Sequence, residues 1–300
     1  SQLSCDKIMS DVFKNPPPTF SNDYVFDIIK KHFDISPSLT PLVSDRDQNF
    51  KITEGEKSHI FKIANSAESR SVLEMQNSAL SYISKKDDSI EIPQPVKTID
   101  GHDILSIEST NTKYHARLLT YVDGVFLKDV KLTNGTTFSV GKFLGYLDKG
   151  LVGFDHRAAK REFIWDVSQV SLLESNLTKD DFDLITFFIN SFKHDISSLM
   201  NDFPKTIIHN DGNDHNILVD SWNRVKGIID FGDMIHSFRV IEPSVAMAYI
   251  AIEDNNFELI ASLIKGYHSI VPLSMDELKA AIYFMCLRMC VSITMSAKRK

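Results

Sequence analysis

The 300-residue chain carries 33 Lys and Arg against 40 Asp and Glu, a formal net charge of −7. That balance gives no electrostatic reason to seek nucleic acid or an anionic membrane surface. No uninterrupted run of about 20 apolar residues is evident, so a membrane span is not expected, and no cationic-then-apolar leader is visible. Three cysteines, Cys5, Cys286 and Cys290, are an odd, low number that fits a reducing, cytoplasmic setting better than a disulfide scaffold.

Taken in chain order, Pro16-Pro17-Pro18 precedes Ser21, a predicted N-cap for a helix to about Phe33 striped by Val25, Ile28, Ile29 and Phe33. Residues 51–53 and 58–64 read as a β-hairpin about the turn 54–57. A helix follows over about 69–84, then strands at 104–107 and 116–122, and Asp123-Gly124 marks a boundary. Beyond it, helical periodicity covers 136–149, 160–173, 180–199, 243–253 and 275–297. One β-rich island interrupts the helices, with strands at 206–208, 217–219 and 225–229 and a turn at Asp220–Asn223. A β-rich front to about 122 and a mainly helical back from 123 predict an α+β, bilobal fold with a cleft between its lobes. Cys286 and Cys290 share a helix face and read as core packing. The abrupt end at Lys298-Arg299-Lys300, directly after an apolar segment, reads as a cut, with a covalently attached downstream domain expected. The oligomeric state is left open.

The island carries the chemistry. It reads His209-Asn210-Asp211-Gly212-Asn213-Asp214-His215-Asn216 and then, after a hairpin, Asp230-Phe231-Gly232-Asp233. Phosphoryl transfer needs a carboxylate to orient the attacking hydroxyl, and hard oxygen ligands to hold Mg²⁺ against the phosphates. An H-x-D-x-x-x-x-N string followed by D-F-G is the catalytic-loop and metal-ligand pattern of protein-kinase-like folds. In the front lobe, Lys62 lies in the apolar strand His59–Ala64, where an ammonium is costly unless it meets negative charge. On the following helix Gln76 projects from the centre of the apolar stripe and is expected to accept a hydrogen bond from Lys62, in place of the usual Glu. No Gly-rich loop precedes the first hairpin. The polar string Ser44-Asp45-Arg46-Asp47-Gln48-Asn49-Phe50, with Arg46 and Asn49, is the candidate for that contact.

The island resembles the aminoglycoside phosphotransferase and choline kinase superfamily, small-molecule kinases. That resemblance implies Asp211 as catalytic base and Asn216 and Asp230 as Mg²⁺ ligands. The strings S-D-R-D-Q-N-F, F-K-I-A-N, L-E-M-Q-N-S-A-L and R-L-L-T-Y-V-D-G narrow the resemblance to the hydroxylysine-kinase branch, as do His156-Arg157-Ala158-Ala159 and Trp165-Asp166. The same kinase module occurs fused ahead of class-III aminotransferase-like domains. The branch implies transfer from GTP to 5-hydroxylysine, with ATP and a related amino alcohol as the wider reading. The base of the nucleotide is expected near Leu118–Val122, with Leu118 and Tyr121 as candidates. Asp155, Asp166, Asp233 and Glu242 are candidates for a cationic amine of the acceptor, and Arg239 for a carboxylate. Three other readings stand beside this one: an aminoglycoside, choline, ethanolamine or homoserine kinase of the same fold; a metallohydrolase built on His209, Asp211, His215 and Asp230; and a catalytically silent nucleotide-binding module.

Overall fold

The structure, a computed structural model, describes residues 15–178 and 182–298. Cys5 and the expected helix start at Asp180 lie outside those residues. The chain divides into two compact units. One is the chain up to Ser81 together with Ile92–Val122; the other is Tyr82–Glu91 with everything from Asp123 onward.

In the first unit, Ser21 caps helix α1 (Asn22–Phe33), its hydroxyl accepting the Tyr24 amide at 3.2 Å. The helix ends as Asp34 turns left-handed at φ 56°. The sheet is built from β1 (Ser38–Leu42), β2 (Gln48–Glu54), β3 (Lys57–Ile63), β4 (Pro95–Val96), β5 (Leu105–Ser109) and β6 (Thr112–Thr120). Its order is β1-β2-β3-β6-β4, with β5 also paired to β6. Alternation sends Phe50, Ile52, Phe61, Ile63, Ala116 and Leu118 to one face, where Val25 and Ile29 of α1 close the core. The opposite face carries the polar row. Asn49 lies opposite Lys62, and Lys62 opposite Arg117, across β2, β3 and β6. Helix α2 (Arg70–Lys86) begins in this unit and ends in the other.

The second unit contains β7 (Val125–Phe126), β8 (Lys205–Ile208), β9 (Ile217–Val219), β10 (Val225–Ile228) and β11 (Ile235–Phe238). Its helices are α3 (Asn134–Leu151), α4 (Val170–Glu174), α5 (Phe182–Asp195), α6 (Ile241–Glu253), α7 (Phe257–Ile270) and α8 (Met275–Lys298). Here the island differs from the expectation in one respect. β9 and β10 form the hairpin, but β8 pairs with β11, a strand the sequence reading had not identified. Helix α7 was also not anticipated. It packs so closely on α3 that a Cβ at Gly141 would fall 1.8 Å from the Leu263 carbonyl oxygen, and one at Gly266 2.1 Å from that of Phe138. Small residues are what allow two helix backbones this near.

The helix expected over 160–173 is replaced by a single 3₁₀ turn, Arg157–Ala159, and the short α4. Polar side chains hold the intervening chain in an irregular path. Asp166 accepts the Ser168 amide and hydroxyl at 3.1 and 2.7 Å, and Gln169 donates to the Arg161 carbonyl at 3.0 Å. Such local bonds compete with helix formation. Helix α8, by contrast, has the length and hydropathy of a membrane span, although charged residues interrupt its apolar run. Its inward face carries Glu277 and Arg288, both buried and both paired, and it packs on α5 and α6 as a core helix. Cys290 is buried in that face, and desolvation pushes its thiol up to about 12, so it behaves as an inert packing group.

Candidate active site

The loop between β8 and β9 is fixed from behind before any reacting group is considered. Glu242, in the first turn of α6 and fully buried, accepts the backbone amides of His209 at 2.6 Å and Asn210 at 3.0 Å. The ring of His209 ties the loop to the hairpin. Its Nδ1 accepts the Asp211 amide at 3.1 Å and its Nε2 lies 3.0 Å from the Ile229 carbonyl, which fits a neutral ring protonated at Nε2. Asn210 is left-handed at φ 68° and donates to the carbonyls of Trp165 and Asp233, both at 3.2 Å. A non-glycine residue held there, buried, with its backbone amide on Glu242 and its side-chain nitrogen on two carbonyls, is strain maintained by its surroundings.

These constraints aim Asp211. Its Oδ1 accepts from Asn213 Nδ2 at 2.9 Å and faces Arg288 Nη2 at 3.3 Å; its Oδ2 accepts from Asn216 Nδ2 at 2.9 Å. Burial, with the charges of Asp233 and Asp230 nearby, pushes the Asp211 carboxyl up to about 8, against the pull of Arg288 and Asn213. Asn216 is joined to the neighbouring strand by its carbonyl, which accepts the Ile229 amide at 2.9 Å, so it sits beside the residue that precedes Asp230. Asp230 is also left-handed, at φ 61°, and accepts the Gly232 amide at 3.2 Å. Asn216 uses its amide nitrogen on Asp211, which leaves a carbonyl oxygen beside an acidic group. A hard divalent cation takes that donor set.

Beside this loop lies a cavity of about 340 Å³ walled by Trp165, Asp214, Tyr249, Glu253, Ser292 and Met295, among others. Arg288 connects the wall to the loop. It is buried, donates from Nη1 to the Trp165 carbonyl at 3.0 Å, and sits over the Trp165 ring, 4.6 Å from its centroid. Sequence reading missed Arg288 because it lies 77 residues from Asp211 on a helix that reads as apolar packing. An arginine in the middle of such a run was the available signal.

The acceptor candidates are redistributed by the structure. Glu242 is not on a substrate surface, because both its oxygens hold loop amides. Arg239 grips Glu277 with Nε at 2.9 Å and Nη2 at 3.1 Å and also donates to the Pro272 carbonyl, so it is engaged inside the fold. Asp166 is buried and its oxygens serve Ser168, Ser237 and Gln169. Asp233 does lie near Asp211, and its charge is felt there. Asp155 is exposed and pairs with Lys160 at 3.4 Å. The histidines named for a metallohydrolase are occupied: both His209 nitrogens hold the loop, and His215 Nδ1 faces Asp214 at 3.0 Å.

In the first unit, Gln76 is buried as expected but has another partner. Its Oε1 accepts Arg117 Nη2 at 2.9 Å, and Asn77 Oδ1 accepts Nη1 at 2.8 Å. Arg117 is opposite Lys62 in the sheet, and its five-donor fork claims both amides. The ammonium of Lys62, half-buried in the row with Asn49, makes no hydrogen bond or ion pair among the described residues. Leu118 points its side chain into the core, and its backbone is paired to β3 and β4. Tyr121 lies under the Lys51 ammonium, 4.1 Å from its ring centroid. The carbonyl of Arg46 accepts from the buried Asn65, which also receives the Ala67 amide, so the 44–47 turn is pinned from within.

Residues 38–278 match the phosphotransferase enzyme family, APH. The chain belongs to that family. This phosphotransferase is 32% identical over 308 residues to the hydroxylysine kinase of Xenopus laevis, covering 90% of this chain and 80% of that one. It is 27% identical to the hydroxylysine kinase of Mus musculus, covering 93% and 82%. Among solved structures it is similar to amicoumacin kinase hAmiN in complex with AMP-PNP, Ca²⁺ and Ami, with a TM-score of 0.77 at 15% identity over 94% of this chain and 87% of that one. A microcompartment-associated aminopropanol kinase gives 0.76 at 18% identity over 91% and 88%. These likenesses establish a kinase-like α+β fold for the phosphotransferase.

Proposed function

We propose that this phosphotransferase moves the γ-phosphoryl group of GTP or ATP, with Mg²⁺, to the side-chain hydroxyl of a small amino alcohol, 5-hydroxylysine being the first candidate. The observation that carries the reading is the Asp211 carboxylate, held by Asn213, Asn216 and Arg288 beside a cavity of about 340 Å³. A pocket of that volume suits a small aliphatic acceptor. The relatives named hydroxylysine kinase support the choice of alcohol.

In this reading Asp211 orients the hydroxyl and takes its proton as the new O–P bond forms and the bond to the β-phosphate oxygen breaks. Its contacts with Asn213, Asn216 and Arg288 hold the carboxylate in one orientation for that exchange. Asn216 and Asp230 are the residues that would hold Mg²⁺, which supplies charge neutralisation for the phosphates. Lys62 offers the phosphates a cation that no carboxylate of the described residues claims. Asn49, in its row, and Arg46 and Tyr121 are the other donor contacts on this reading. On this reading Glu253, in the wall of the cavity, meets an acceptor ammonium, and Asp233 stands near Asp211.

The test is nucleotide consumption with ATP and with GTP against hydroxylysine, ethanolamine, choline, homoserine and aminoglycosides. Hydroxylysine is expected to stimulate consumption, and Asp211→Asn to lower the stimulated rate by at least about a hundredfold. No stimulation by any alcohol, or full activity in Asp211→Asn, overturns the reading.

A further inference from the structure

Asp211 has two carboxylate oxygens, and each presents two lone-pair directions to donors. Oδ1 is met by two donors, Asn213 Nδ2 at 2.9 Å and Arg288 Nη2 at 3.3 Å. Oδ2 is met by one, Asn216 Nδ2 at 2.9 Å. Asn213 and Asn216 come from the same short loop as Asp211. Arg288 comes from α8, and its guanidinium is fixed by three other contacts: the Trp165 carbonyl at 3.0 Å, the Trp165 ring at 4.6 Å and the Tyr249 hydroxyl at 3.4 Å. Trp165 and Tyr249 are themselves walls of the neighbouring cavity.

We infer that Arg288 is a positioning residue. It saturates Oδ1 of Asp211, so that the acceptor hydroxyl is received at Oδ2, and it locks that orientation to the aromatic wall of the acceptor pocket. The inference rests on the phosphotransfer reading above. Two features separate it from a packing role. A buried guanidinium is expensive to keep, and an aliphatic side chain of similar volume would hold three packed helices and strands together at least as well. Among the described residues Arg288 also leaves Nε buried without a hydrogen-bond partner, a cost that a purely structural residue would be selected to avoid. What the guanidinium alone provides is a rigid fork that reaches a carboxylate and a carbonyl at fixed angles. A lysine carries the charge but cannot make both contacts from one plane.

Two replacements test this, Arg288→Lys, which keeps the charge, and Arg288→Met, which fills the slot between Trp165 and Tyr249 without one. Each is made in the wild-type chain and in Asp211→Asn, with the thermal midpoint read alongside the rate. In the wild-type background both are expected to lower kcat for acceptor-stimulated nucleotide consumption by about tenfold or more, with the donor KM within twofold. In Asp211→Asn the same replacements are expected to change the residual rate by less than twofold, because a residue acting through Asp211 has nothing left to position. A folded variant with kcat within twofold of wild type overturns the proposal, and so does a loss that multiplies undiminished in Asp211→Asn. A wild-type enzyme that no alcohol stimulates overturns the phosphotransfer reading itself, which is a separate result.

Discussion

At the scale of single residues, the site is a carboxylate held by two amides and a guanidinium, on a loop held by a second carboxylate. Asp211 does the aiming at the front of the loop, while Glu242 holds the backbone of the same loop from behind, its two oxygens on two successive amides. Replacing Glu242 with Gln keeps one acceptor but turns an NH₂ toward a backbone N–H, so one buried donor loses its partner. The expected cost is about 1–3 kcal/mol of folding stability, read from urea midpoints, with a fall in kcat because the loop is no longer fixed. Unchanged stability and unchanged kcat together would show that the loop holds itself. Asp211, Asn216 and Asp230 stand out in the sequence because their spacing is short and their loop is continuous. Arg288 and Arg117 do not, since each meets its partner only after tens of residues of chain have folded between them.

At the scale of elements, the α3–α7 pair sets the back wall of the second unit. Its two glycines bring the helices close enough for Tyr267 of α7 to donate to Asp148 of α3 at 2.5 Å, deep in the core. Gly141→Ala puts a methyl 1.8 Å from a carbonyl oxygen that belongs to a helix backbone and cannot swing aside. Separating the helices to admit it is expected to cost about 1–3 kcal/mol or more, seen as a lower thermal midpoint. A variant as stable as wild type would mean that α7 shifts freely, contrary to this packing. The helical spacing of α7 was there to be read, but this contact was not legible in the sequence. The apolar spacing over 257–270 is an ordinary amphipathic pattern, and the need for glycine arises only from what the neighbouring helix places opposite it. The irregular path over 160–169 was misread for the converse reason: its spacing is helical, but Asp166 and Gln169 bond the local backbone and win.

At the scale of the whole molecule, buried acids make stability depend on pH. Asp148 has its carboxyl raised well above the usual range, first by desolvation and then by the charge of Glu242, with the Tyr267 hydrogen bond opposing. In the folded chain it therefore stays protonated where the unfolded chain would ionise it. The unfolded state binds fewer protons in that window, so this group's contribution is largest below the ordinary carboxylate pKa and is lost as pH rises above it. Asp148→Asn removes the titration and keeps an oxygen for the Tyr267 hydroxyl. Its urea midpoint relative to wild type is expected to rise between pH 5 and pH 8. Parallel profiles for the two proteins would exclude the mechanism.

Short-range pattern determined the fold class, the capped first helix, the β2–β3 hairpin and the loop that carries Asp211 and Asn216. In each case the deciding interactions lie within a few residues or follow from strict alternation. Lys62 in an apolar strand was legible for the same reason, since one charged residue on a sheet face declares itself. Tertiary structure alone decided that Gln76 serves Arg117, that Leu118 belongs to the core, that Arg239, Glu242 and Asp166 hold the fold together, and that Arg288 reaches Asp211. A buried polar group is defined by the partner that satisfies it, and that partner is chosen by packing between elements distant in the chain.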